Sequence, residues 1–305
     1  GHTPIVFDNL STGHREAAKG FELVVGDLAD GRLLRQTMAT RGVQAVMHFA
    51  ACSRVGESVA EPQKYFTNNV THGTALLRAM LDAGVRQIVF SSTAAVYGNP
   101  VRTPIDEAHP KAPINPYGRS KLMLEQMLAQ YAEAHGFACM ALRYFNAAGA
   151  AEDGCIGEDH EGETHLIPLV LQAALGVRES VQIYGTDYPT ADGTCIRDYI
   201  HVDDLAVAHV LGLNALKAGT AVAYNLGNGA GYSVREVVET ARRVTGRPIA
   251  AHDAPRRPGD PPVLVASHRK ISDELGWQPK QPSLAQIIES AWRWHKSHPA
   301  GFRSK

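Results

Sequence analysis

Short apolar runs alternate with longer amphipathic stretches through the first half of the chain. Apolar runs bounded by polar residues are typical of buried parallel strands, whereas the longer stretches predict helices. The pattern predicts strands over residues 4–8, 21–27, 44–50, 87–93 and 138–146, and helices over residues 32–41, 62–82 and 116–135. This alternation predicts an α/β fold, a doubly wound parallel sheet of the Rossmann type with helices on both faces.

The pattern changes after Gly149, where the chain enters a polar, acidic stretch. Residues 151–164 do not have the ligand spacing of a calcium loop, and we expect a solvated loop or lid there. Later segments predict strands over residues 181–185 and 221–226 and helices over residues 234–245, 270–275 and 284–298. We expect residues 1–149 to form the domain of the main sheet. Residues 150–305 should form mainly a smaller C-terminal substrate-binding lobe, with some strands and helices returning to that sheet.

The most informative chemistry in the chain is a tyrosine and a lysine one helical turn apart. Tyr117 and Lys121 occupy positions i and i+4 of the helix predicted over residues 116–135, so they should share one face. A neighbouring ammonium favours the phenolate, and we expect it to lower the pKa of Tyr117 from its usual value of about 10. Such a tyrosine would serve as a general base near neutral pH. An ordinary surface pair on the helix is the structural alternative.

Hydroxyl residues end the strand that precedes this helix, and Thr93 is the last of them. Parallel α/β sheets bind ligands at the carboxyl ends of their strands, so the Thr93 hydroxyl is placed to bond a reacting oxygen. Capping of the strand end explains one or two such hydroxyls equally well. It does not explain the tyrosine and lysine that follow, so we expect Thr93, Tyr117 and Lys121 to form one catalytic group.

Three consecutive predicted strands end in residues that suit a dinucleotide. Asp8 ends the first strand, where a carboxylate binds the adenosine ribose of NAD and repels the extra phosphate of NADP. Asp27 ends the second strand, and the small residues Ala50 and Ala51 follow the third. No G-x-x-G-x-x-G turn, which would cradle the pyrophosphate, follows a strand near the start. We therefore expect an opening strand, glycine-rich loop and helix to precede residue 1, and we expect NAD binding to require them.

Composition excludes several classes of partner. The chain has 305 residues, of which 44% are hydrophobic and 20% charged, with a formal net charge of −1. This balance predicts no nucleic-acid partner, and the absence of a long apolar stretch predicts no membrane span. Four scattered cysteines fit neither a zinc site nor a disulfide framework, which favours a reducing cytoplasm. The 14 histidines show no ligand spacing, so the sequence predicts no metal site.

Several longer segments resemble one family closely. They include V-F-D-N-L-S-T-G-H at the start, F-S-S-T-A-A-V-Y-G and P-Y-G-R-S-K around the tyrosine, D-G-T-C-I-R-D-Y-I-H-V at residues 192–202 and A-P-R-R-P-G-D at residues 254–260. Together they resemble the extended short-chain dehydrogenase/reductase family, and within it the enzymes that epimerise nucleotide sugars at C4. The resemblance runs through essentially the whole chain. It implies NAD as the cofactor, a UDP-sugar as the substrate and a homodimer in the cytoplasm.

The resemblance also implies roles for individual residues. Tyr117 resembles the general base on the sugar 4-hydroxyl, Lys121 the lysine that holds the nicotinamide ribose, and Thr93 the hydroxyl that bridges the sugar oxygen. The positions that contact NAD are, besides Tyr117 and Lys121, Asp8, Asn9, Asp27, Leu28, Phe49, Ala50, Ala51, Asn68 and Phe145. The positions that contact the nucleotide sugar are Thr93, Asn146, His165, Leu166, Gln182, Ile183, Tyr184, Arg197, Arg257 and Asp260.

Two of these positions also suit their roles by chemistry alone. Guanidinium groups pair bidentately with phosphate oxygens, so Arg197 and Arg257 suit the diphosphate of a nucleotide sugar. The structural alternatives are a salt bridge from Arg197 to the neighbouring Asp198 and a solvated loop charge at Arg257. We expect the diphosphate role for both arginines.

The activity that the resemblance implies is the interconversion of UDP-glucose and UDP-galactose. C4 is oxidised, the 4-keto sugar rotates in the pocket, and re-reduction on the other face inverts C4 while NAD stays bound. The alternatives are a 4-epimerase for UDP-pentoses or UDP-N-acetylhexosamines and a catalytically silent nucleotide-binding regulatory module. A dehydratase of the same superfamily needs proton-transferring side chains directly after the active-site hydroxyl, where Ala94 and Ala95 stand. Leu264, of intermediate size beside the sugar pocket, leaves the acceptance of N-acetylated sugars open.

Overall fold

The structure is a computed structural model that describes residues 1–257 and 260–302, and it contains two compact units. The first unit comprises Gly1–Gly98, Pro110–Arg143 and His209–Tyr224. The second comprises Asn99–His109, Tyr144–Ala208 and the described residues from Asn225 onward. The predicted division after Gly149 differs from these boundaries, because the chain from Tyr144 onward already packs with the second unit.

Helices and strands alternate along the described chain. They begin with β1 (Ile5–Asp8), a 3-10 turn (Arg15–Ala18), β2 (Glu22–Val25), α1 (Gly31–Thr40), β3 (Ala45–His48), α2 (Val55–Ala60), α3 (Pro62–Tyr65), a π-helical segment (Phe66–Thr71), α4 (His72–Ala83), β4 (Gln87–Thr93), a second 3-10 turn (Ala94–Val96), α5 (Pro116–His135) and β5 (Ala138–Tyr144). They continue with β6 (Asn146–Ala148), α6 (Leu166–Ala174), β7 (Val181–Tyr184), β8 (Ile196–His201), α7 (Val202–Asn214), β9 (Thr220–Leu226), β10 (Gly231–Ser233), α8 (Val234–Thr245), β11 (Ala251–Ala254), β12 (Val263–Leu264), α9 (Arg269–Leu275) and α10 (Leu284–Ser297).

The first unit is built from parallel strands with helices packed on them. β1 pairs in parallel with β2, β3 pairs in parallel with β4, and the second sheet has the order β3-β4-β5-β9. Helices α1, α4 and α5 contribute to one buried core, whose members include Leu34, Leu77, Met80, Phe90 and Leu128. This architecture confirms the predicted α/β fold class of the Rossmann type.

Local sequence signals define both ends of α5. The Asn115 side chain accepts a hydrogen bond from the Gly118 N–H at 2.8 Å, and Pro116 occupies the first turn, where its missing N–H costs nothing. At the other end, Gly136 has a φ of 68°, a left-handed conformation that glycine adopts without strain. The structure therefore confirms the predicted bounds of this helix, and strand β4 also lies where it was predicted.

The long helix predicted over residues 62–82 is helical throughout, but its middle part is a π-helix rather than an α-helix. α3 ends at Tyr65, the chain passes through a π-helical turn over Phe66–Thr71, and α4 begins at His72. Inside this turn Asn69 is buried, and its side chain bonds the backbone of Cys52 in both directions at 2.8 and 3.0 Å. These contacts join residues that are far apart in sequence, so the apolar spacing of the segment did not reveal its π-helical part.

The second unit contains a small mixed sheet and a separate strand pair. β8 pairs antiparallel with β10 and in parallel with β12 and β6, while β7 pairs in parallel with β11. Helices α6, α8 and α10 share a core that includes Val170, Val237 and Ile287. The sequence analysis missed α6, which is apolar on most of its surface, and β8, whose Arg197 and Asp198 break the alternation of a strand. Among the helices of the described residues, none combines the length and apolar character of a membrane span.

The start of α5 packs so closely on the turn after β4 that only glycine fits at position 118. A Cβ there would lie 2.5 Å from the Ala95 carbonyl oxygen and 3.1 Å from Pro113 Cβ. We predict that Gly118→Ala lowers the free energy of unfolding by about 1–3 kcal/mol, because the helix must move to relieve the clash. Gly31→Ala at the start of α1, where nothing lies within 4 Å, is the matched control and should not lower it. Chemical denaturation measures both variants, and equal stabilities would contradict this packing.

Candidate active site

Thr93 and Tyr117 meet in the first unit, at the end of β4 and the start of α5. The Thr93 hydroxyl oxygen accepts the Ala95 N–H at 3.1 Å, and the hydroxyl also hydrogen-bonds the Tyr117 phenol. Thr93 is buried, whereas Tyr117 is partly buried. Thr93 therefore caps the turn after its strand, as the structural alternative required, and also contacts the tyrosine.

Lys121 is turned into the protein rather than out to solvent. The residue is 3% exposed, and its Nζ donates a hydrogen bond to the Ser91 carbonyl oxygen at 2.8 Å. The same ammonium lies 4.9 Å from the centre of the Phe90 ring. Burial lowers the pKa of Lys121 to about 7, while Glu125 and then Cys52 act in the opposite direction. Lys121 is thus fixed to the strand that carries Thr93, and it is not half of a surface pair.

The predicted effect of Lys121 on Tyr117 is wrong in this structure. Burial raises the pKa of Tyr117 above its ordinary value, and the hydrogen bond with Thr93 offsets this only in part. The Lys121 ammonium is bound to the Ser91 carbonyl, and its own burial favours the neutral amine. Spacing of i and i+4 puts two side chains on one helix face, but it does not decide how deeply each is buried or where its charged end lies.

A buried ion pair one helical turn after Lys121 was missed by the sequence analysis. Arg143 on β5 pairs with Glu125 on α5 with a distance of 2.5 Å between Nη2 and Oε2, and the two side chains are 5% and 9% exposed. Ser92 donates to the Glu125 carboxylate at 2.5 Å, and Arg143 donates to the Tyr97 hydroxyl at 2.9 Å. The sequence signal for this pair was Glu125 itself, an acidic residue four positions after Lys121. Glu125 joins α5 to both β4 and β5.

The sequence analysis also missed the contacts between the π-helical segment and the first turn of α5. Asn69 donates a hydrogen bond to Ser120 Oγ at 2.9 Å, and Ser120 in turn donates to the Tyr117 carbonyl oxygen at 2.7 Å. The Tyr65 ring meets the Tyr117 ring edge-on, with 6.4 Å between their centres. Tyr117 is therefore held through its backbone and its ring by residues that precede it by about fifty positions.

Two carboxylates stand at the ends of β1 and β2. Asp8 accepts a backbone N–H of its own loop at 2.6 Å, and a Cβ at Gly13 would come 3.1 Å from Asp8 Oδ1. The Ala29 N–H and then the Asn9 amide lower the pKa of Asp27, and the Asn9 bond measures 2.7 Å. Carboxylate oxygens accept hydrogen bonds from the hydroxyls of a ribose, and the missing side chain of Gly13 leaves space beside Asp8. The residues present therefore suit the adenosine side of NAD.

The other positions predicted to contact NAD are more scattered. Phe49 is 54% exposed after β3, and its ring lies 4.8 Å from the His209 ring. Asn68 lies in the π-helical segment, next to the buried Asn69. Phe145 belongs to the second unit. The structure places the remaining positions with the first unit, namely Leu28, Ala50 and Ala51.

In the second unit, Arg197 pairs with Asp260 rather than with its neighbour Asp198. The Asp198 side chain accepts three backbone N–H bonds at 2.8 to 3.0 Å, and burial raises its pKa to about 6. Asn146 donates to the Asp198 carbonyl oxygen at 2.8 Å. Three residues predicted to bind the nucleotide sugar thus lie close together, namely Asn146, Arg197 and Asp260. Arg197 and Asp260 form an ion pair, and Asn146 bonds Asp198, the residue after Arg197.

Arg257 lies against an aromatic ring and is not a free loop charge. Its guanidinium is 4.1 Å from the centre of the Tyr184 ring at the end of β7. Along the same strand Gln182 is exposed and Ile183 is 3% exposed, so the Ile183 side chain faces the core and only its backbone can reach a ligand. The two residues that follow Arg257 in the A-P-R-R-P-G-D segment, Pro258 and Gly259, lie outside the described residues.

His165 and Leu166 lie where the acidic loop enters α6. Leu166 is the first residue of this helix, so its backbone N–H has no partner within the helix. The loop is largely exposed, as the sequence predicted, but two of its carboxylates are shielded, because the Glu158 and Glu163 side chains are only 17% and 5% exposed. Both carboxylates contact the His165 ring.

The fold and the residues at the ends of β1, β2 and β4 are those of a Rossmann-type enzyme that uses a dinucleotide. The sequence profile described as NAD dependent epimerase/dehydratase family matches residues 1–227 of the chain. The chain belongs to this family. Its similarity to individual members extends well beyond the matched region.

Two curated relatives are both named UDP-glucose 4-epimerase. The protein of Halalkalibacterium halodurans is 53% identical over 306 residues, an alignment that covers 100% of this chain and 92% of the relative. The protein of Lacticaseibacillus casei is 49% identical, with 99% of this chain and 92% of the relative covered. The chain is therefore similar to these enzymes along its whole length.

Solved structures show the same likeness. UDP-glucose 4-epimerase from Brucella ovis in complex with NAD is 48% identical, with a TM-score of 0.92 over 96% of this chain and 90% of that one. UDP-glucose 4-epimerase from Bifidobacterium longum in complex with NAD+ and UDP is 39% identical, with a TM-score of 0.93 over 98% of this chain and 92% of that one. These similarities confirm the predicted family and its NAD-dependent fold.

The buried pair of Glu125 and Arg143 gives a direct test of how the site is supported. We predict that Glu125→Gln lowers the free energy of unfolding by about 3–5 kcal/mol, because it leaves the Arg143 charge buried and without its counter-ion. The matched control is Asp82→Asn. It removes the partner of Arg78 in an i,i+4 ion pair on the surface of α4. This control should have little effect. Similar losses in the two variants, measured by urea denaturation, would show that the buried pair has no special role.

Proposed function

We propose that the protein interconverts UDP-glucose and UDP-galactose by inverting the configuration at C4, with NAD as its cofactor. The observation that carries this proposal is the hydrogen bond between Thr93 and Tyr117 at the carboxyl end of β4, with Lys121 fixed to the same strand. Support comes from relatives named UDP-glucose 4-epimerase, one of them 53% identical along the whole chain. It also comes from similar structures described in complex with NAD and UDP.

The chain's own residues supply the proton transfer. Tyr117 accepts the proton of the sugar 4-hydroxyl, and the Thr93 hydroxyl bonds the same oxygen and keeps it beside the phenol. Asp8 and Asp27 would hold the adenosine side of NAD and Lys121 its nicotinamide ribose, and the bound cofactor would supply the hydride chemistry at C4. Burial favours the neutral phenol, so the working enzyme needs a cation beside Tyr117. We assign this role to Lys121, whose ammonium has donors left for the phenol and the nicotinamide ribose after bonding Ser91.

The second unit supplies the groups for the nucleotide. We assign Arg197 and Arg257 to the diphosphate, because a guanidinium presents several donors in one plane and can bind a carboxylate and a phosphate together. Asp260 orients the first arginine, and the Tyr184 ring supports the second. The remaining positions assigned to the nucleotide sugar are Asn146, His165, Leu166, Gln182 and Ile183.

Two alanines favour epimerisation over dehydration, the other reaction in the name of the family. Elimination of water needs an acid and a base that move protons at neighbouring sugar carbons. Ala94 and Ala95 directly follow Thr93, and their methyl groups transfer no protons. The proposed reaction needs only Tyr117 and the hydroxyl of Thr93 for its proton transfer.

We also propose that the enzyme works as a homodimer in the cytoplasm. All four cysteines are free thiols, which suits a reducing compartment. The family resemblance suggests pairing through α4 and α5, and Met123 on α5 is 44% exposed, an apolar side chain available to a partner. We predict a mass of twice the chain by light scattering, and a lower dimer fraction for Met123→Glu, because the charge would be buried at the interface. A monomeric wild type at micromolar concentration would rule out the dimer.

The central prediction concerns Tyr117. In the full natural chain, Tyr117→Phe should lower kcat by about 10²–10⁴-fold, because the phenol that takes the proton is removed. Binding of UDP should stay near the wild-type value, since that contact is assigned to the second unit. Tyr131→Phe on the same helix is the matched control, and it should leave kcat unchanged. The coupled conversion of UDP-galactose measures activity, and near-wild-type turnover by the Tyr117→Phe variant would contradict the proposed function.

A further inference from the structure

Four side chains with metal-binding atoms converge in the loop before α6. Glu158, His160, Glu163 and His165 lie within eight residues of sequence, and one ligand atom from each lies within 4.8 Å of all the others. The sequence predicted no metal site, because the two histidines do not have the helical spacing of known motifs. The loop conformation, rather than a helix, brings their Nδ1 atoms to the carboxylates. We infer that this cluster, which we call the E2H2 cluster, is a structural binding site for a zinc ion.

The distances within the E2H2 cluster approach those of a tetrahedral site. Bonds of about 2.0–2.1 Å place neighbouring ligand atoms about 3.4 Å apart around a zinc ion. His160 Nδ1 lies 3.4 Å from Glu158 Oε1 and 3.2 Å from Glu163 Oε2. His165 Nδ1 lies closer, at 2.7 and 3.0 Å from the same two carboxylates, and small rotations of its exposed ring would open both distances.

The ligand types favour zinc over the hard cations. Two imidazole nitrogens and two carboxylate oxygens form a set that zinc accepts with four-coordinate geometry. Calcium and magnesium prefer six or more oxygen ligands, which this cluster does not provide. Four protein ligands also leave no open position for substrate, so the site would be structural rather than catalytic.

The burial of the two carboxylates calls for two compensating charges. Glu163 and Glu158 are 5% and 17% exposed, while the His160 and His165 side chains are 41% and 53% exposed. A zinc ion carries two positive charges, so a single ion would compensate both carboxylates.

The cluster also has an entry path and a structural task. A cavity of about 160 Å³ reaches Glu158, His160 and Glu163 from the side of His295 and His298. The Glu163 carboxylate accepts the N–H of Thr164 and of His165 at 2.6 and 2.7 Å, which fixes the path of the chain into α6. An ion bound here would hold the acidic loop to α6, whose first residue, Leu166, is assigned under the proposed function to the nucleotide sugar. His165 would bind the ion through Nδ1, which leaves its Nε2 and its backbone for the nucleotide sugar.

Metal content is the first test, and it does not depend on enzyme activity. The full natural chain, loaded with zinc and dialysed, should retain about one zinc ion per chain by mass spectrometry of the metal. Glu163→Gln and His160→Gln should each weaken zinc binding by more than about 100-fold, because a ligand is lost from the ion itself. His135→Gln removes an exposed histidine outside the cluster and should retain zinc. Circular dichroism confirms that each variant is folded.

Cobalt substitution of the wild type provides a second test that needs no variant. Cobalt in the E2H2 cluster should show the intense visible bands of a tetrahedral site, and a chelator should abolish them and lower the melting temperature. A wild type that retains no zinc would show that the four side chains form an ion-pair cluster only, and the inference would be wrong. Equal zinc retention by the wild type and both cluster variants would also overturn it. Tyr117→Phe should keep its zinc, which separates this test from that of the proposed function.

Discussion

The hydrogen bond from the Lys121 ammonium to the Ser91 carbonyl oxygen is the contact on which the first unit's site depends. It ties α5 to the last residues of β4 in a region with little access to water, at a distance of 2.8 Å. Burial of an ammonium is costly unless a counter-charge or acceptors compensate, and here Glu125 and the Ser91 carbonyl provide the compensation. The position of Tyr117 follows, because it lies one turn earlier on the same rigid helix.

The ends of α5 were predictable because their causes are local. Asn115, Pro116 and Gly136 specify where the helix begins and ends through capping and backbone preference, and these can be read from the sequence. The pKa of Tyr117 was not predictable in the same way, since it depends on burial. The i,i+4 spacing was right about the shared face and wrong about the electrostatic result, because Lys121 is buried and bound elsewhere.

The groups assigned to the nucleotide sugar show where local reasoning ends. Arg197 meets Asp260 across 63 residues, whereas the structural alternative offered by the sequence was a salt bridge to the neighbouring Asp198. Asp198 is used by the backbone of its own unit, whose three N–H groups it accepts. The family resemblance placed both Arg197 and Asp260 among the nucleotide-sugar positions, but it did not predict that they pair with each other. In the acidic loop, neither spacing nor resemblance gave a reason to expect Glu163 and His160 to lie together. The folded loop brings their side chains into contact.

The account rests on a sugar that loses and regains the same hydrogen at C4 while Tyr117 handles the proton of the neighbouring oxygen. UDP-galactose that carries deuterium at C4 of the sugar tests this most directly, when the full natural chain converts it in ordinary water. Because a hydride held by a nicotinamide does not exchange with solvent, the UDP-glucose formed should keep the deuterium at C4. Loss of the deuterium to water would contradict the account, since it would mean that C4 is inverted by proton exchange rather than by transfer and return of hydride.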